Sequence, residues 1–152
     1  MKKVVSSLLI LCMTVALVGC GGKEQSVTYQ NETTESGLTV TETMTLDAKG
    51  DKIQKITQSF KVDMSGFDAS QQGLLVEAYD ALVEQYNSVE GANATGSSAD
   101  GSYSLDVTID TTGDAVSGLA DLGLLEVDGN AKGISLKKTV AGLESSGYTL
   151  VE

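Results

Sequence analysis

Two neighbouring runs of alternating residues constrain this chain more than any other feature. Across residues 38–48, Leu38, Val40, Met44 and Leu46 share one side, and Thr39, Thr41, Thr43 and Thr45 share the other. Alternation with period two belongs to a strand, and β-branched threonine suits the wet side of a pleat. Glu42 interrupts the apolar side. Ala48-Lys49-Gly50-Asp51 then reads as a tight turn. Residues 52–63 alternate again, with Ile56, Phe60 and Val62 on one side and Ile53, Lys55, Thr57, Ser59 and Lys61 on the other. The two runs predict an antiparallel hairpin whose second-strand lysines sit beside the threonine and acidic residues of the first.

The remaining segments supply what such a hairpin packs against. Val27 to Glu32 opens an earlier strand. Residues 70–87 switch to helical spacing, with Leu75, Tyr79, Leu82, Val83 and Tyr86 on one stripe, widened by Leu74 and Ala78. Asp68 or Ser70 caps its start. Residues 91–101 are small and polar and predict a mobile loop. Residues 102–110 alternate cleanly through Tyr103, Leu105, Val107 and Ile109. Residues 115–125 allow a short helix, weakened by Gly118 and Gly123. Ser135 caps a helix running through Ser146 with Leu136, Val140 and Leu143 inward, and Gly147 stops it. Tyr148, Leu150 and Val151 are expected to dock as a last short strand. The fold class is α+β: a mainly antiparallel β-sheet with two principal helices on one face, in the order βββ-α-β-α plus a short terminal strand.

The N-terminus is of a different kind. Lys2 and Lys3 precede an uncharged apolar run over residues 4–18, and Leu17-Val18-Gly19-Cys20 follows. A basic start, a short apolar stretch and a small residue are the parts of an export signal. The run is shorter than the ~20 residues a membrane-spanning helix needs. Leu17-Val18-Gly19-Cys20 resembles the lipobox of bacterial lipoproteins. That resemblance implies cleavage before Cys20 and a diacylglyceryl thioether on its sulfur. Each buried methylene contributes about 0.8 kcal/mol, so two or more chains anchor stably. The expected organisation is a signal peptide over 1–19, a lipidated tether over 20–26 and one domain over 27–152. The expected location is the extracytoplasmic face of the cell membrane, or the outer membrane where a cell has two.

Composition removes whole classes of chemistry. Without Lys2 and Lys3, eight of the ten basic residues remain, all lysine, against 21 acidic ones, a formal charge of −13. Such a balance repels nucleic acid and anionic headgroups, so no nucleic-acid partner is expected. Cys12 leaves with the signal and Cys20 carries lipid, so the processed domain holds no disulfide and no thiol. The chain has no histidine. The usual ligands of zinc, copper and haem are absent, as are Ser-His-Asp and Cys-His catalysis. No cofactor, metal or enzymatic activity is expected. The carboxylates Asp47/Asp51, Asp110/Asp114 and Asp121/Glu126/Asp128 lack the spacing of a calcium loop and read as turn and surface residues.

With these elements placed, the chain resembles the YehR-like lipoproteins, a family of unknown function. The resemblance is carried by Leu17-Val18-Gly19-Cys20, by the hairpin around Lys49-Gly50-Asp51-Lys52, and by Gly133-Ile134-Ser135-Leu136-Lys137-Lys138-Thr139 closed by Gly147-Tyr148. It implies a lipid-anchored α+β domain and brings no catalytic residues. Two further positions are candidates for contact. Tyr79 and Tyr86 lie two turns apart and either line a ligand groove or pack against the sheet. Lys137 and Lys138 occupy a helix start, where cations are mildly unfavourable, and either meet an anion or partner or are simply solvated. The functional expectation is a non-enzymatic, monomeric binding module, held on a membrane through Cys20 and meeting another envelope protein or peptide. The alternative is a binder of a small ligand or lipid between helix and sheet, and an enzyme working with carboxylates alone is the least expected reading.

Overall fold

The hairpin is the centre of a six-stranded antiparallel sheet. The computed structural model of the protein describes residues 12–14, 22–128 and 133–151. Strand β1 (Cys12–Thr14) lies apart from the main sheet, parallel to β7 (Glu126–Asp128). The main sheet contains β2 (Glu24–Glu35), β3 (Leu38–Lys49), β4 (Lys52–Asp63), β5 (Ala92–Ala99), β6 (Ser102–Asp110) and β8 (Thr149–Leu150). Their spatial order is β5-β6-β4-β3-β2-β8. Among the described residues three helices join them: α1 (Ala69–Asn87), α2 (Ala115–Asp121) and α3 (Leu136–Ser145). The α+β class is as the sequence predicts, with one more strand in the main sheet, the separate β1–β7 pair and one more short helix than the minimal order.

One face of the sheet is the core. Met44, Leu46, Ile56, Phe60, Val62, Leu105, Val107 and Ile109 are buried beneath the helices. Leu75, Tyr79, Leu82 and Tyr86 of α1 pack onto it, and Tyr79 stacks on Tyr103 with ring centroids 5.0 Å apart. Asp68 caps α1 by accepting from the Gln71 amide, and Gln71 returns a bond to the Asp68 amide. The opposite face is polar. Thr28, Thr45, Thr57 and Thr108 form one row across four strands, and Lys55 pairs with Asp47 at 2.9 Å.

The structure corrects several expectations, each for a local reason. Ile53 is buried, because a bulge at Asp47/Ala48 inserts Gln54 and returns Ile53 to the core side. The stretch expected as a mobile loop contains β5. Its backbone is clamped by Asn87 at the end of α1, which donates to the Ala94 carbonyl at 2.9 Å and accepts from the Ala94 amide at 2.7 Å. Leu74 and Ala78 do not widen the buried stripe; both are exposed, Leu74 at 54%. Strand β2 begins at Glu24, so only Gly22 and Lys23 of the described tether residues precede the sheet. At the C-terminus Tyr148 packs inward, whereas Leu150 and Val151 are 58% and 48% exposed.

Candidate functional site

Two polar clusters distinguish this fold from a plain packed sheet. The first joins the β3–β4 turn to α3. Asp51, in the turn, accepts from Ser135 Oγ at 2.8 Å and from the Lys137 amide at 2.8 Å, while its own carbonyl accepts from the Leu136 amide at 2.8 Å. Ser135 Oγ in turn accepts from the Lys138 amide at 3.3 Å. The Ile53 amide donates to the Ile134 carbonyl at 2.9 Å, and Lys52 bridges to Ser135. A carboxylate from a distant turn therefore serves the free amides and positive dipole of α3's first turn. This offsets the cost of Lys137 and Lys138 at that position, and leaves both lysines exposed.

The same turn also receives the start of the domain. The Gly50 amide donates to the Lys23 carbonyl at 3.0 Å. Gly22 crosses so close to Gly50 that a Cβ on it would stand 2.2 Å from the Gly50 Cα. No other residue type fits at Gly22 without moving the turn. The chain thus enters the fold directly over Lys49-Gly50-Asp51-Lys52.

The second cluster is buried. Glu42 occupies a core-facing position of β3 and is 9% exposed. It accepts from the Tyr148 hydroxyl and from Gln58 Nε2 at 3.4 Å. Burial pushes its pKa up to about 7, against the opposing effect of these two bonds. Tyr86 feels the same charge: burial, then Glu42, pushes its hydroxyl up to about 12. Burial and then Glu42 raise Tyr148 as well. The arrangement can hold or release one proton near neutrality. Beside it, Tyr29 donates to Glu144 of α3 at 3.1 Å, so the end of α3 is tied to the sheet twice over.

The sequence pattern of the family described as "Protein of unknown function (DUF1307)" matches residues 25–149. This chain belongs to the DUF1307 family. Among its relatives, "Uncharacterized lipoprotein Lmo0207" of Listeria monocytogenes is 26% identical over 149 residues, covering 97% of this chain and 95% of that protein. "Uncharacterized lipoprotein Lin0239" of Listeria innocua is 27% identical over 153 residues, covering 100% and 97%. The NMR structure of the Escherichia coli YehR protein superposes with a TM-score of 0.61 at 21% identity, over 86% of this chain and 93% of that one. An NMR structure of a Streptococcus pneumoniae TIGR4 protein does so at 0.52 and 14% identity, over 90% of each. The YehR-like resemblance read from the sequence is thereby shown, and the two fold matches extend it to three dimensions.

Within this DUF1307 domain the sequence-predicted residues fall in separate places. Cys20 lies outside the described residues. Tyr79 and Tyr86 are buried in the α1–sheet interface, and among the described residues Tyr79 Oη has no hydrogen-bond partner. Two shallow cavities lie elsewhere. One of about 640 Å³ is lined by Glu24, Gln25, Ser26, Asp47, Ala48, Lys49 and Gln54. One of about 480 Å³ lies around Lys55, Asn93, Thr108 and Asp110. Two of the carboxylates weighed for calcium serve local bonds. Lys55, then Ser26, holds Asp47 below the usual carboxylate range, and Asp110 accepts from Thr112. Glu42 and Asp51 are the residues whose roles sequence reasoning missed. Glu42 left a trace as the one carboxylate on an apolar face, whereas Asp51 looked like any turn residue.

Proposed function

We propose that this protein is a membrane-anchored extracytoplasmic lipoprotein, held by lipid on Cys20, whose domain is a non-enzymatic binding module. The observation that carries the reading is the entry of the chain. Gly22 and Lys23, two and three residues after the lipobox cysteine, already lie against the β3–β4 turn through Gly50, and the main sheet follows at Glu24. An anchor at Cys20 therefore holds a folded domain against the lipid rather than at the end of a long arm. The two Listeria relatives are lipoproteins by their names, which supports the same reading. Among the described residues no helix is long and apolar enough to cross a membrane. Processing before Cys20 would remove β1 and leave β7 without its parallel neighbour.

The anchor is tested by intact-mass measurement on protein purified from native membranes, together with Cys20→Ser. Lipidation predicts a chain that begins at Cys20 with added acyl mass, and a variant that no longer cofractionates with membranes. A bare polypeptide mass, or a variant that stays on the membrane, would refute it. The binding role rests on the polar face of the sheet, where the threonine row across four strands includes Thr57 and Thr108 beside the mutually bonded Thr28 and Thr45. A photo-crosslinker at Thr57 is expected to give a discrete adduct with an envelope protein in cells. Equal labelling from the helix-side position Glu84 would remove that support.

A further inference from the structure

The formal charge of −13 that remains without Lys2 and Lys3 hides a local reversal. Lys49 and Lys52 flank the β3–β4 turn, and Lys137 and Lys138 open α3, which is fastened to that same turn through Asp51. Lys23 lies over the turn through its bond to Gly50. The sole ion pair among the described residues, Lys55 with Asp47, takes a sixth lysine out of account. The nearby Asp51 spends its carboxylate on the Ser135 hydroxyl and the Lys137 amide rather than on a lysine side chain. Glu24, opposite Lys49, is the remaining carboxylate on these strand ends. Glu90, Asp110 and Asp114 lie on the β5–β6–α2 side of the same end of the sheet. Five lysines thus converge on one corner of an otherwise acidic domain.

That corner is also where the anchor leaves. We infer that Lys23, Lys49, Lys52, Lys137 and Lys138 form a docking surface for anionic lipid headgroups, seating the domain on the membrane by its β2–β3–β4 corner. The inference rests on the anchoring proposed above. Two observations on this structure select a lipid surface as the occupant. Lys23 lies three residues from the lipid attachment point along the chain, and its carbonyl accepts from Gly50, whose turn carries Lys49 and Lys52 and reaches the Lys137–Lys138 helix start through Asp51. Their charge also opposes that of the rest of the molecule, so an anionic plane attracts this corner and repels the remainder. Polybasic clusters beside a lipid anchor raise partition into anionic bilayers about fivefold per lysine, and screening by salt removes the effect.

The test is lysine footprinting by limited acetylation on the full processed protein, reconstituted into vesicles. Lys61, on the polar face away from this corner, is the internal reference. In vesicles containing phosphatidylglycerol, Lys49, Lys52, Lys137 and Lys138 are expected to react about fivefold more slowly relative to Lys61 than in pure phosphatidylcholine. Raising salt to about 1 M should abolish the difference. The variant Lys137→Glu/Lys138→Glu should weaken protection at Lys49 and Lys52. Equal ratios in both lipids would overturn the docking surface while the anchor stands. Protection produced by inorganic phosphate over neutral vesicles would also overturn it, by showing an anion site instead. A protein that fails to float with neutral vesicles would refute the anchor itself.

Discussion

Asp51 and Glu42 show how one carboxylate can be either structural or poised, depending on what surrounds it. Asp51 sits at the surface and meets donors that persist at any moderate pH: a hydroxyl and a helix-end amide. Its loss leaves the Lys137 amide and the Ser135 hydroxyl without their partner while Ser135 still caps Lys138, and Asp51→Ala should cost about 1 kcal/mol. Urea denaturation checks this as a lower midpoint with unchanged slope. Glu42 behaves differently because burial opposes its charge. Its folded pKa of about 7 stands above the ordinary 4.5 of a glutamate, so the folded state binds the proton more tightly. The associated stability is fully present below about pH 4.5 and is lost as pH rises through about 7. The loss is on the order of 3 kcal/mol. Glu42→Gln should flatten the stability–pH curve between pH 5 and 8, and an unchanged slope would show that Glu42 is not its source. A sequence displays the misfit of a carboxylate among Leu38, Val40, Met44 and Leu46, but not the Tyr148 hydroxyl 106 residues away that meets it.

At the scale of elements, legibility followed apolar periodicity. β3, β4, β6 and α1 each place several large apolar residues at a fixed period, and each was predicted close to its observed bounds. β5 has no such signal, for a packing reason. Tyr103 passes over Gly96 on its way to Asp80 of α1, to which it donates at 2.6 Å. A Cβ at Gly96 would lie 2.0 Å from the Tyr103 hydroxyl and 3.0 Å from Val83. Only small residues fit beneath that crossing, so the strand looks like a linker. Gly96→Val should displace the Tyr103–Asp80 bond and destabilise the fold by about 1–3 kcal/mol. A thermal midpoint equal to the parent's would contradict that account. The bulge at Gln54 was invisible for a related reason, since one inserted residue breaks the period at the position where Ile53 must turn inward.

The whole molecule joins, at one corner, motifs that are distant along the chain. The Lys49-Gly50-Asp51-Lys52 turn and the Gly133–Thr139 run, separately noticeable in sequence, touch through Asp51, Lys52 and Ser135. Charge polarity follows from that contact and could not be read from totals, because a net count has no geometry. The margins of the sheet show the same limit. β8 covers β2 only at Tyr29 and Gln30, leaving most of a twelve-residue strand as an edge among the described residues. Glu24, Glu32 and Glu35 lie along it, and charge on an edge discourages strand addition. Replacing Glu32 and Glu35 together by valine should increase self-association in sedimentation velocity, and unchanged sedimentation would exclude the charge as the guard.

That half-open border acquires more weight once the domain is confined to a plane. Copies fixed to a lipid sheet share one upright direction and spin about it, so their sides face one another in every encounter. In three dimensions most collisions would present some other surface. Under the anchoring proposed above, a like-signed rim would turn such meetings into glancing passes and keep a crowded patch of these molecules a two-dimensional fluid.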